Sequence, residues 1–426
     1  MRGGIRFNGR YEFTTAPRRQ WRPRGRITST FLGDETRDTD ADADARDGTD
    51  TRSDADDRDT DDRAVRHSHR RAPAPAAGAG ESASRRRKAV AGGRLDYLDA
   101  VRAVAIIGML ITHLVQLSKV PDKVQFVFDG RASIVFAVLA GVSAVLLTRS
   151  VARRKGQADP GEMTSAGAMT LLKRGLLLYV ICLIVAPLSV GPVVILGTYA
   201  VLMVLAIPLL YIRDTRILIA LSAVSAVALP VLSYFLRSQV LPVNDAQGLV
   251  PGFTDFFSLG TMVASAQGLF FDGFYPVLTF APFLMAGLVI GRVLTGALWR
   301  GGDVMKGLFA TGSGLILLGY GTSIFVRTQT GYTQQRIDEV AQGAMSPEEL
   351  NPDMVANMPP EMVEQMLHPT YNPFESQMGV TGLSDPRALL VAVPHSGSIT
   401  EIIGGIGVAT VLIAAMAFAF RFARRC

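Results

Sequence analysis

The chain has 426 residues, 49% of them hydrophobic and 19% charged, with a formal charge of +6. The basic residues sit beside hydrophobic runs rather than along an amphipathic soluble face, which argues against nucleic acid as a partner. Two cysteines, Cys182 and Cys426, exclude a disulfide framework and a cysteine-based zinc site.

From Met1 to Gly93, 20 Lys and Arg stand against 16 Asp and Glu, and hardly any apolar run is long enough to bury. Such a stretch cannot recover its ordering entropy, so residues 1–93 are expected to form a disordered charged tail. Within it, Gly33 to Arg63 carries 14 acids and 5 arginines in a near-repetitive pattern, followed by an Ala/Pro/Gly spacer at Ala72–Gly80. The arginine-rich start has no apolar stretch behind it and does not read as a signal peptide, which keeps the tail in the cytoplasm.

Beyond the tail, the expected fold is an all-α polytopic bundle over residues 94–426. A helix crossing the hydrocarbon layer needs roughly 20 apolar residues, because every backbone group must be paired inside the segment. Eight runs qualify, at about 98–118, 132–148, 175–190, 191–212, 217–236, 273–291, 307–326 and 402–420. The third and fourth come from dividing Gly175–Ile212, 38 residues without a charged side chain, at Pro187, Gly191 and Pro192. In the first turn of the first span, Asp99 and Arg102 share a helix face and form an expected structural pair.

Short loops rich in Lys and Arg stay on the cytoplasmic side. With the tail inside, the cytoplasmic loops Arg149–Arg174, Arg213–Arg216, Arg292–Lys306 and Arg421–Cys426 hold 14 basic residues in 51 positions. The opposite loops, Lys119–Arg131, Arg237–Asp272 and Arg327–Glu401, hold 7 in 124. Both termini are therefore expected in the cytoplasm of a multi-pass cell-membrane protein. The large external loop, 327–401, reads as a lid with helix starts at Ser346 and Pro360.

Ionisable residues near span ends are costly and mark candidate sites. His113 lies near the external end of the first span. His395 precedes the last span, where Ser398 and Glu401 have capping-box spacing. Asp129-Gly130-Arg131 opens the second span, and Asp272-Gly273-Phe274-Tyr275 opens the sixth, both on the external side. The histidines are candidate catalytic bases, and Asp129, Arg131, Asp272 and Tyr275 candidate acceptor-site groups. At the cytoplasmic face Arg149, Arg153, Lys173 and Arg174 form a candidate phosphate clamp, although ordinary positive-inside bias also accounts for them. No phosphate loop, dinucleotide fingerprint or His-Glu-x-x-His motif occurs, so neither an ATP-driven pump nor a metalloprotease is expected, and no metal.

The stretch Arg94-Leu95-Asp96-Tyr97-Leu98-Asp99-Ala100-Val101-Arg102-Ala103 followed by His113 resembles the multispan acyltransferases related to heparan-α-glucosaminide N-acetyltransferase. The likeness continues through Asp129-Gly130-Arg131, Leu139-Ala140-Gly141-Val142-Ser143, Lys173-Arg174, Tyr275-Pro276 to Gly287, and Pro394-His395-Ser396. Ala103 replaces the family's usual glycine, a change that still permits close helix contact. The resemblance implies transfer of an acyl group, acetyl in the first instance, from acyl-CoA on the cytoplasmic side to an extracytoplasmic sugar or similar acceptor. It also implies an essential histidine, matched in position by His113. The alternative is a non-catalytic transporter or export component using the same polar cavity. Either way the lipid bilayer is the main partner, and a homo-oligomer is allowed.

Overall fold

The computed structural model describes residues 96–114, 128–156, 163–188, 194–242, 250–296, 304–343, 360–369, 371, 377 and 379–423. The chain divides into two units, 1–76 and 77–426, and every described residue belongs to the second. The tail, the Ser346 segment and Pro192 lie outside the described residues.

Among the described residues eight long helices make up the bundle: α1 (Asp96–Leu114), α2 (Arg131–Arg154), α3 (Ser165–Val185), α4 (Leu196–Tyr211), α5 (Thr215–Gln239), α7 (Val277–Leu294), α8 (Val304–Gln329) and α11 (Ile399–Ala423). Three shorter ones, α6 (Leu259–Gln267), α9 (Tyr332–Gln342) and α10 (Pro360–Leu367), lie in the connections. By length and composition six helices, α2, α3, α5, α7, α8 and α11, can cross a membrane, while α4 is apolar but shorter. Leu, Ile, Val and Ala runs set the helices, and capping side chains set some of their starts. The Thr164 hydroxyl accepts from Gly167 N at 3.0 Å, and Asp214 from Arg216 N at 2.8 Å.

Contacts between helices fix the direction of each. Gly108 of α1 lies beside Phe128 and Ala132, while Arg102 donates to Ser143 Oγ at 2.6 Å, so α1 runs antiparallel to α2. Arg102 also pairs with Asp99, as their spacing predicts. The α2–α7 pair is parallel and unusually close: a Cβ on Gly287 would stand 2.0 Å from Val138 O, and one on Gly141 2.3 Å from Leu284 O. Only residues without a side chain allow the two backbones to touch, the small-residue packing of membrane helices. In α8 and α11, Gly312 meets Gly407 and Gly319 meets Gly404, an antiparallel contact. At the end of α4, Arg292 of α7 donates to the carbonyls of Leu210, Ile212 and Arg213 at 3.3, 2.5 and 3.2 Å, which satisfies the orphan acceptors of that helix end.

Among the described residues these helices run alternately toward an end carrying His395 and toward an end carrying Arg149, Arg292 and Arg421. Several boundaries differ from the sequence reading. The second span continues to Arg154, and the third begins at Ser165, ten residues early, which puts Lys173 and Arg174 inside α3. Charge marked the boundary at Arg174, but the uncharged run Ser165–Thr170 behind the Thr164 cap already forms helix. The sixth begins at Val277, because Gly268–Asp272 forms a π-helical turn before it.

Candidate functional site

His395 lies on the short loop leading into α11, and its backbone has φ 58°, the left-handed region that non-glycine residues rarely occupy. Such a conformation costs on the order of 1–3 kcal/mol and persists only where its surroundings over-determine it. Here they do. Glu401, in the first turn of α11, accepts from Gly397 N at 2.7 Å and from Ser396 Oγ at 3.1 Å. Ser398 Oγ accepts from Glu401 N at 3.1 Å, and Ser398 N donates to Ser396 Oγ at 3.3 Å. The capping box expected at Ser398 and Glu401 is therefore half formed. With Ser398 N already engaged, the Glu401 carboxyl group reaches one residue further back.

The imidazole so placed meets Asp129, with Nε2 3.2 Å from Oδ1 and both side chains largely buried. Phe274 and Tyr275 wall the ring at centroid distances of 4.6 and 5.4 Å. Gly130, at φ 73°, passes so close that a Cβ would stand 3.2 Å from His395 N, so the Asp129-Gly130-Arg131 turn and the His395 loop are pressed together. Burial raises the Tyr275 hydroxyl above its ordinary range, and the charge of Asp129 adds to the effect. The shift favours the protonated phenol.

Arg131 is buried beneath the turn, donates to Asp129 O at 2.9 Å, and lies 5.4 Å over the Tyr320 ring. Its charge faces Glu401, which is also buried. Beside His395 and Glu401 the described residues leave a cavity of about 10 Å³, roughly the space of one water centre.

His113 falls in the last turn of α1, whose antiparallel course brings it to this same end; its side chain lies outside the described residues. Asp272 takes a different course. The π-turn directs its carboxylate to Gln267 Nε2 at 2.7 Å, on the side where Arg237 bonds Thr381. Of the four candidate acceptor-site groups, the structure brings Asp129, Arg131 and Tyr275 to His395 and routes Asp272 to Gln267. Glu401, Ser396, Phe274 and Tyr320 complete the constellation. Serine and glutamate at capping distance were the sequence signal for the first two, and the aromatic pair gave none.

At the opposite end Arg149 donates to Thr295 O at 3.3 Å and shares a small cavity with Arg292 and Thr148. Arg153, Lys173 and Arg174 are exposed. Gly167 of α3 abuts Thr148 of α2, so Lys173, six residues on, stands about 9 Å along the axis toward the histidine end. Lys173 and Arg174 therefore stand nearest the histidine end, Arg149 further from it, and Arg153 about 6 Å beyond Arg149.

The family model described as "Heparan-alpha-glucosaminide N-acetyltransferase, catalytic" matches residues 94–325. That range holds every candidate site residue named from the sequence except His395; Ser396 and Glu401 also lie beyond it. No curated protein matches the chain. With more than half of its residues matched on a multi-pass helical bundle, the chain belongs to the heparan-alpha-glucosaminide N-acetyltransferase catalytic family.

Proposed function

We propose that the chain is a membrane acyltransferase that moves an acyl group, acetyl in the simplest case, from cytoplasmic acyl-CoA to a hydroxyl or amine of an extracytoplasmic sugar-like acceptor. The observation that supports it most is the His395–Asp129 pair, seated in a strained and buried loop of a chain of this family.

An ionised carboxylate only accepts hydrogen bonds, so Nε2 of a neutral His395 carries its proton toward Asp129 and Nδ1 is left as the base. The acceptor heteroatom bonds to the thioester carbonyl carbon while its proton passes to Nδ1. The carbon–sulfur bond then breaks, and the departing thiolate takes the proton back from Nδ1, which gives free CoA and restores the neutral imidazole. Tyr275 donates toward the developing oxyanion, and Arg131 and Glu401 act as positioning residues that hold the two loops together. His113, at the same end of the bundle, is the second candidate base.

Axial level orders the donor contacts. Lys173 and Arg174 stand about 9 Å nearer the histidine end than Arg149. A donor whose thioester reaches His395 brings its phosphates to Lys173 and Arg174 before Arg149 and Arg153.

Purified protein in nanodiscs, given labelled acetyl-CoA and a glucosamine-type acceptor, is expected to form labelled acetyl-acceptor. CoA alone is expected to raise the melting temperature in a saturable way. Neither product nor a CoA-dependent shift would contradict the reading and favour a transporter.

A further inference from the structure

Between α5, α7, α8 and α11 lies a cavity of about 460 Å³, far larger than the one beside His395. Its lining is apolar apart from the hydroxyls of Ser222, Thr311 and Thr410, and that of Thr410 already donates to Ile406 O at 2.7 Å. Close-packed interiors do not tolerate a void of this size, and a wall with so few polar groups does not hold water.

The cavity has a mouth. Helices α5 and α8 share almost no packing with each other. Two of its lining residues, Ile219 on α5 and Leu318 on α8, are 39% and 57% exposed and flank the gap. Beside them Val224 and Leu317, at 62% and 74%, continue the outer apolar surface of the same helices. That surface faces lipid in a membrane-spanning bundle, so the cavity opens sideways into hydrocarbon. Its floor, including Ile290 and Ile406, is buried. Small residues create the space, above all Ala226 and Ala286.

We infer that this cavity is a binding site for one alkyl chain of a bilayer phospholipid, entering between α5 and α8. A methylene occupies about the volume of a water, roughly 30 Å³, so 460 Å³ has room for at least on the order of fifteen carbons, enough for an ordinary fatty acyl tail. The pantetheine arm of CoA is the poorer occupant, because its two amides would lack partners on these walls. The inference does not depend on the acyl-transfer reading.

The test uses the full chain in nanodiscs containing a phospholipid with a diazirine near the end of one tail. After irradiation, peptide mapping is expected to find label on Ile290 and Ile406, beneath the rim, as well as on outer positions such as Val224 and Leu317. An Ala226→Leu, Ala286→Leu variant, checked for a monodisperse elution profile, is expected to lose at least fivefold of the inner label while keeping the outer label. Should that variant not assemble, Ile219→Trp at the mouth is expected to give the same loss. Label confined to outer positions, inner label unchanged in the filled or gated variant, or inner label removed by excess CoA would each overturn the inference.

Discussion

Replacing Glu401 with alanine removes the acceptor that holds the His395 loop. The Gly397 N–H, bonded at 2.7 Å in a buried site, is left without its partner, while Ser396 Oγ retains Ser398. A stranded buried donor costs about 1–3 kcal/mol. Relaxation of the left-handed loop returns part of its strain, but buried Arg131 also loses the carboxylate that its charge faces, so the net cost is about 2–4 kcal/mol. At about 2–4 °C per kcal/mol for a domain of a few hundred residues, the melting temperature in nanodiscs should fall by roughly 5–15 °C. Glu401→Gln keeps an acceptor for Gly397 N and should lose about half as much. Activity of Glu401→Ala, assayed well below its melting point, should fall further than stability does, because His395 is freed from Asp129. A Glu401→Ala protein melting within 1 °C of wild type would refute the claim that this carboxyl group fastens the loop.

Other outcomes follow from the same geometry. Gly287→Leu, whose side chain would start 2.0 Å from Val138 O, should prevent accumulation of folded protein, whereas Gly314→Leu, in open space on α8, should not; expression and size exclusion report both. The Lys173→Ala, Arg174→Ala pair should weaken CoA binding, read by thermal shift, at least fivefold more than Arg149→Ala, Arg153→Ala. Desolvation works to raise the Asp385 carboxyl group, but its bonds to Arg387 outweigh this and hold it below the usual carboxylate range. A depressed value contributes stability above the unfolded value, near 4, and loses it as pH falls through the folded one. The melting difference between wild type and Asp385→Asn should therefore be full at pH 6–7 and vanish in strong acid. Single-cysteine labelling should find positions 113 and 395 accessible from one side of the membrane and 153 and 421 from the other.

Much of the bundle was legible because charge and apolar length are local properties. Apolar helices with basic residues such as Arg154, Arg237, Arg292 and Arg327 at their ends follow from the cost of leaving backbone or charge in hydrocarbon. Lys173 and Arg174 misled for a related reason. Long basic side chains can lie on a helix exterior while their heads seek the interface, so a charge does not end a helix. The convergence of Asp129, Arg131, Tyr275 and His395 was legible only as a shared end of the bundle. The 3.2 Å contact between residues 129 and 395 depends on how two loops interlock through Gly130, and the diversion of Asp272 on a π-turn that composition does not announce. Glu401 looked like a cap because its spacing was a cap's. Its carboxyl group is spent instead on the loop that carries the histidine.

The most direct measurement is the single-turnover rate of labelled acetyl transfer by wild type, His395→Ala and Asp129→Asn in nanodiscs, each with its melting curve. A general base contributes about 10²–10⁴-fold, so both variants should fall by at least 10² while remaining folded, the asparagine because it no longer fixes the tautomer. Rates within threefold of wild type in the folded His395→Ala protein would contradict the proposed centre.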